Sequence, residues 1–228
     1  MRTLGLIGGM SAESTALYYG HLNRLARERL GGLHSARLVM VSIDFAPLAA
    51  MQANGAWDEA GEMLAEEARR LEAAGAEAIL ICANTMHLVA DAVQAAVRAP
   101  VLHICDATAA ALTAVGARRP LLLATRFTME KAFYRDRLST AGVEATIPGE
   151  ADRARLHAII YDELCQGVVD PVSKAEVLAM IARAEDVDSV IFGCTEIGLL
   201  LSADDLALPV VDTTLAHAQA ASAFAFAG

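Results

Sequence analysis

The sharpest chemical feature of this 228-residue chain is Cys194. It closes the apolar run Val190-Ile191-Phe192-Gly193 and is followed at once by Thr195 and Glu196. A free thiol titrates near about 8.5, and a positive charge or a helix N-terminus lowers that value. A thiol so tuned suits proton exchange with a carbon acid near neutral pH. Position alone leaves a second reading open, a small buried core residue, the usual fate of an unpaired cysteine. Cys82 closes a similar run, Ala78-Ile79-Leu80-Ile81, and is followed by Ala83, Asn84 and Thr85. When the two runs are aligned, Gly193 falls on Cys82 and Cys194 falls on Ala83. Successive side chains of a strand point to opposite faces, so this one-residue offset turns Cys82 away from the position Cys194 holds, and Cys82 reads as core.

Other polar groups gather at similar points. Gly5-x-x-Gly8-Gly9-Met10-Ser11 ends a first apolar run where a helical pattern begins, and backbone N–H groups at such a start can hold an anion such as a carboxylate. The same glycines also suit a plain tight turn. The pattern is neither Gly-x-Gly-x-x-Gly nor a P-loop, which argues against a nucleotide. Thr125 and Arg126 follow the run 121–124. Residues 45–56, read as a loop, contain Gln52 and Asn54, and no Arg or Lys lies between Arg37 and Arg69, which predicts weak demand for an acidic substrate side chain. His87 begins a helical pattern, as a cap or a contact to loop or substrate. The remaining histidines, His21, His34, His103, His157 and His217, stand singly, and no spacing matches a zinc site. Lys131 and Lys174 are the only lysines and lie in helical patterns, a poor setting for a pyridoxal-phosphate Schiff base.

The elements that must carry these groups alternate. Apolar β-type runs occupy 3–8, 36–44, 77–82, 99–104, 120–125, 143–147, 187–193 and 208–212. Helical patterns occupy 12–30, 57–74, 87–97, 106–116, 128–141, 151–166, 171–185 and 213–226. Ser11 is placed to cap the first helix, and Gly31, Gly75 and Gly142 to end helices. Such alternation predicts parallel sheets covered by helices, with ligands beyond the carboxyl ends of the strands. The order also repeats. Leu4-Gly5-Leu6-Ile7-Gly8 is similar to Leu121-Leu122-Leu123-Ala124-Thr125, the Cys82 run to the Cys194 run, and Ala99-Pro100-Val101 to Leu208-Pro209-Val210. This predicts two similar α/β halves, 1–105 rejoined by the C-terminal helix 213–228, and 106–212. One wide doubly wound sheet is the alternative.

Composition sets the outer limits. A hydrophobic content of 55% excludes disorder, and a net charge of −10 argues against a nucleic-acid partner. The mean hydropathy is +0.40, yet no run of about 18 apolar residues appears, so no membrane helix is expected. The first residues do not read as a signal peptide, and few cysteines suit a reducing, cytoplasmic compartment. The high apolar content makes a homodimer a reasonable expectation.

Gly8-Gly9-Met10, Asn84-Thr85-Met86-His87 and Gly193-Cys194-Thr195-Glu196-Ile197 together resemble the cofactor-independent aspartate/glutamate racemase family, over essentially the whole chain. Gly31-Gly32-Leu33-His34-Ser35-Ala36 and Ser42-Ile43-Asp44-Phe45 resemble its broad-specificity and L-aspartate/glutamate-specific branch. The resemblance implies two three-layer α/β halves related by a pseudo-two-fold axis, with the active site in the cleft between them. It implies racemisation of an amino acid, a small-molecule substrate, with no cofactor and no metal, one base removing the α-proton and a partner returning it on the other face. Cys194 becomes the catalytic residue. Met10, Ser11, Gln52, Ala83, Asn84, Thr85, Thr125, Thr195 and Glu196 become the substrate-binding set. One departure stands out. Family members with two thiols carry a cysteine immediately before the Asn-Thr pair, where this chain has Ala83. Two other readings therefore stay open, a one-thiol lyase or isomerase acting on a carboxylic acid and a carboxylate-binding protein without turnover.

Overall fold

The computed structural model describes residues 1–227. Its chain divides into two compact units, one made of residues 1–104 with the segment from His217 onward, the other of residues 105–216. Each is built on a parallel three-stranded sheet. In the first unit β1 (Leu4–Gly8) lies between β2 (Leu38–Ser42) and β3 (Ala78–Ile81). In the second, β5 (Ser189–Phe192) lies between β4 (Pro120–Leu123) and β6 (Val210–Asp212).

These strands form where β-branched and leucine side chains are continuous. β1, β3, β4 and β5 are buried along their whole lengths, as strands covered on both faces must be. Helices supply the cover in the first unit: α1 (Ala12–Leu30), α2 (Phe45–Asn54), α3 (Trp57–Ala73) and, after a 3₁₀ turn at Thr85–Val89, α4 (Ala90–Ala96). The second has α5 (Ile104–Ala114), α6 (Arg126–Glu130), α7 (Ala132–Thr140), α8 (Glu150–Ala158), α9 (Pro171–Ala182) and α10 (Ile197–Leu200). The last helix, α11 (Thr213–Phe226), starts in the second unit and delivers Ala218, Ala221 and Ala225 to the core of the first, against Leu4, Leu6 and Tyr18.

Several expected elements differ. Runs 99–104 and 143–147 are not strands but single parallel bridges, Ile79 with Val101 and Leu121 with Thr146. Both lie at a sheet edge, and the next residues cut each one short, Ile104 opening a helix in one case and Pro148 interrupting the strand in the other. With them counted, both sheets run in the same order, two flanking segments about a central pair. Residues 45–56 are a helix, not a loop. Asp44 Oδ1 accepts the Ala46 N–H at 3.2 Å, Pro47 sits in the first turn where no N–H is needed, and Gly55 ends the helix at φ 72°. The pattern 128–141 breaks at Lys131, which is extended. The pattern 151–166 is α8 followed by a π turn, Ile159–Glu163, and a 3₁₀ turn, Leu164–Gln166.

The repeat is also corrected by one residue. Leu4 pairs with Ala78 as Pro120 pairs with Ser189. The counterpart of Leu4 is therefore Pro120, not Leu121.

Candidate active site

In the first unit the carboxyl ends of the strands are tied together by short polar side chains. Gly8 carbonyl accepts the Ile43 N–H at 3.0 Å. Gly9 has φ +88°, and a Cβ there would stand 2.2 Å from the Ile43 carbonyl oxygen, so only glycine fits. Gly9 N–H donates to Thr15 Oγ1 at 2.8 Å, and that hydroxyl donates to the Ser11 carbonyl at 2.8 Å. Ser11 Oγ accepts the Ser14 N–H at 3.2 Å, and Ser14 Oγ donates to the Cys82 carbonyl at 3.1 Å. The Gly9 and Ser14 amides serve the turn itself, and Ser11 Oγ caps the helix.

Met10 is buried in an apolar cluster with Leu48 and Met86, against which Ala83 packs. Gln52 is also buried, and its Nε2 donates to Met86 Sδ at 3.0 Å. Helix formation over 45–54 is what places Gln52 there, whereas Asn54 is exposed at the helix end. The fold thus gathers Met10, Gln52 and Ala83 around one apolar cluster and buries Asn84 and Thr85 on the turn after Ala83.

Cys82 is on the other side of the pleat. Its N–H donates to the Ile7 carbonyl at 2.9 Å, and its side chain lies among Leu4, Leu6, Tyr18 and Leu80. Burial pushes that thiol far up. The equivalent N–H of Gly193 donates to the Leu123 carbonyl at 2.7 Å. Gly193 therefore occupies the place of Cys82, and Cys194 that of Ala83.

His87, His103 and His217 are not solitary. His87 Nδ1 donates to the Ala83 carbonyl at 2.8 Å, and Nε2 accepts the Ile104 N–H at 3.1 Å. Both ring nitrogens serve backbone, so the side chain locks the end of β3 to the start of α5. The His103 ring centroid is 4.6 Å from that of His87, and the His217 centroid 5.6 Å. His217 bridges the Tyr18 hydroxyl at 2.8 Å and the Leu102 carbonyl at 2.7 Å. Burial, with the neighbouring imidazoles His103 and His217, holds His87 well below the ordinary histidine range, and burial pushes His217 down to about 4.

In the second unit Cys194 turns off β5 and is 8% exposed. Its Sγ donates to Glu196 Oε2 at 2.9 Å, and Thr195 Oγ1 donates to the same oxygen at 2.6 Å. Glu196 is buried. The thiol is pushed well above its ordinary range, first by burial and then by the Glu196 carboxylate. A thiol lowered by nearby positive charge is therefore corrected to a protonated thiol held by a carboxylate. α10, at four residues, begins only after Glu196 and supplies little dipole. Thr125 caps α6, its Oγ1 accepting the Thr128 N–H at 3.4 Å. Arg126 is exposed, with its guanidinium 5.5 Å from the Phe127 ring. His157, read as solitary, meets Phe127 edge to face at 5.6 Å and lies tilted against Tyr161 at 4.6 Å between ring centroids. The Tyr161 phenol is pushed up, first of all by burial. A histidine with a tyrosine four residues further on was the available signal for this ring contact.

Among the described residues no group of three or more His, Cys, Asp or Glu is placed to hold a metal ion, and no helix is long and apolar enough to cross a membrane. A cavity of about 290 Å³ in the second unit, bordered by Pro148, Gly149, Met180 and Arg183, includes none of the candidate residues.

Comparison with known proteins fits this frame. Residues 7–221 match the model of the Asp/Glu/Hydantoin racemase family. The structure superposes on a Yersinia pestis protein carrying a provisional Asp/Glu racemase name, with TM-score 0.92, 46% identity and all of both chains covered. It is also similar to an aspartate racemase homologue from Pyrococcus horikoshii, with TM-score 0.85, 34% identity and 99% of both chains covered. Glutamate racemase from Francisella tularensis in complex with D-glutamate shares the fold at 16% identity, with TM-score 0.69 over 99% of this chain and 81% of that one. Two parallel α/β sheets, a Gly-Cys-Thr-Glu turn at the end of one of them and a family match across nearly the whole length lead to one assignment: the chain belongs to the Asp/Glu/Hydantoin racemase family.

Proposed function

We propose that the chain is a cofactor-independent isomerase of amino acids that moves the α-proton with Cys194. The single observation carrying this reading is a thiol at a strand end whose hydrogen is directed at a buried carboxylate, Cys194 Sγ to Glu196 Oε2 at 2.9 Å, in a member of a racemase family. An amino-acid α-proton is only weakly acidic. Its removal requires a base of matched position and donors that hold the growing carbanion. Ser11, Asn84, Thr85, Thr125 and Thr195 are the hydroxyl and amide groups at the strand ends suited to the substrate carboxylate. Met10, Gln52 and Ala83 are the groups suited to bound its side chain. The names of the similar structures, an aspartate racemase homologue and a glutamate racemase holding D-glutamate, support an amino-acid substrate.

Ala83 favours a second reading. Its methyl group occupies the place that Cys194 holds in the repeat and cannot carry a proton. A one-thiol lyase or isomerase acting on a carboxylic acid needs only Cys194. One experiment separates the two. Purified protein is incubated in D₂O with single L- and D-amino acids and, separately, with malonate- and maleate-type acids. α-Deuteration with loss of optical purity supports the racemase. Turnover of the diacids alone supports the second reading, and inert amino acids across a broad panel refute the first.

A further inference from the structure

The sequence pattern casts Glu196 as a substrate contact, but its geometry gives it a different task. Two consecutive residues donate to one of its oxygens, Cys194 Sγ at 2.9 Å and Thr195 Oγ1 at 2.6 Å. The carboxylate is 2% exposed, so little water competes for that oxygen. A buried carboxylate with two short donors is fixed in place, and one donor is the atom proposed to react. We propose that Cys194 and Glu196 work as a single proton-sharing pair, Glu196 Oε2 taking the thiol proton as the sulfur becomes a base. This rests on the reading of Cys194 as the acid–base residue and adds the acceptor its chemistry needs.

The step balances without another reagent. The S–H bond breaks, its electron pair stays on sulfur, and an O–H bond forms on Glu196. The thiolate then takes the proton from the substrate α-carbon, an S–H bond forms, and the C–H electron pair remains on carbon. Return of a proton from sulfur to carbon, and of the carboxylic proton to sulfur, restores the starting state. Exchange of the thiol hydrogen with solvent between these steps labels the substrate.

The pairing predicts an unusual pH dependence. The reactive form, thiolate beside carboxylic acid, has the same total proton count as the resting form, thiol beside carboxylate. Its share of the enzyme therefore does not change between the titrations of the two groups. A lone thiol behaves differently, since its thiolate share rises tenfold per pH unit below its pKa. The other titratable groups facing this pair are Tyr161 and Cys165, from the segment 159–166, with His157 against the Tyr161 ring. Tyr161 is pushed up and His157 is lowered, so neither of these changes charge between pH 7 and 9.

The test is the rate of α-deuteration from pH 7 to 9 in wild type, Glu196→Gln and Glu196→Asp. Wild type is expected to be flat. Glu196→Gln should climb about tenfold per unit. Glu196→Asp should be flat at a lower plateau. A wild-type rate that climbs tenfold per unit, or a flat Glu196→Gln profile, overturns the pairing. Alkylation of ligand-free protein by iodoacetamide, read at the Cys194 peptide by mass spectrometry, tests the pair without substrate. Loss of the carboxylate should move the alkylation midpoint to lower pH. An unchanged midpoint overturns the proposal, whereas a moved midpoint in a protein inert to every amino acid sustains the pair and sinks the racemase reading instead.

Discussion

Acidification from pH 7 to pH 5 should destabilise the protein through its buried imidazoles. His217 is fully buried between Tyr18 and Leu102, and burial pushes its pKa down to about 4. In an unfolded chain the same group titrates near about 6.5. Between those values the unfolded state binds the proton and the folded state does not. Stability therefore rises with pH across this window and is flat above it. For a pKa of about 4 against about 6.5, His217 alone accounts for a loss of about 2 kcal/mol between pH 7 and pH 5. His87, also held low, adds a loss of the same sign. The lowered carboxylates do not interfere. Asp188, held low against its burial by the Arg118 and Arg119 amides, and Asp205, held by Lys174, lose their contribution only as pH falls below the ordinary carboxylate range.

The measurement is urea unfolding of wild type and His217→Gln at pH 5, 6 and 7. The variant should be less stable at pH 7, having lost the bridge between Tyr18 and Leu102, but should fall more gently on acidification. Equal pH slopes in the two proteins, or a wild type more stable at pH 5 than at pH 7, would refute the assignment of neutral buried imidazoles. The consequence for the site is direct, because His87 holds the carbonyl of Ala83 itself at 2.8 Å.

Other substitutions probe the strand ends. Gly9→Ala should cost about 3 kcal/mol or more in thermal or urea unfolding, since the added carbon meets backbone at 2.2 Å and φ is +88°; a loss below about 1 kcal/mol would contradict the close approach of Gly9 to Ile43. Cys82→Ala should leave turnover unchanged and lower stability by about 1 kcal/mol, while Ala83→Cys should raise two-way racemisation; a collapse of activity in Cys82→Ala would show the register to be wrong. Cys194→Ala should reduce α-proton exchange at least about 100-fold, measured by NMR in D₂O. Neutral and acidic amino acids should be exchanged at comparable rates, because the helix carrying Gln52 offers no cation; a strict preference for aspartate counts against this.

The sequence was most legible where one local rule decides the outcome. Continuous apolar runs located all six strands, and the Ser11 cap and glycine stops located α1 to the residue. Pro100 and Pro209 mark equivalent places, as their carbonyls accept the N–H groups of Ile79 and Val190, both at 2.9 Å. α2 was missed although its signals were present: Asp44 as cap, Leu48, Met51 and Gln52 on one face, and Gly55 beyond the end. The histidine cluster was not legible at all. His87, His103 and His217 are separated by up to 130 positions, and only the return of α11 to the first unit brings them together.

The same contrast separates the two cysteines. Cys82 is next to the motif in sequence, and proximity along the chain alone would make it the second base. Alternation along β3 decides against that, because one step along a strand exchanges one face for the other. Cys82 goes to the cluster of Leu4 and Tyr18, and Ala83 to the cluster of Met10 and Met86. Moving a thiol by one position along this strand is therefore a larger chemical change than replacing cysteine by alanine in place. Ala83→Cys leaves every backbone hydrogen bond intact and sets a thiol beside Met10 and Met86. Cys82 can reach that face only by breaking its own N–H bond to Ile7, at 2.9 Å.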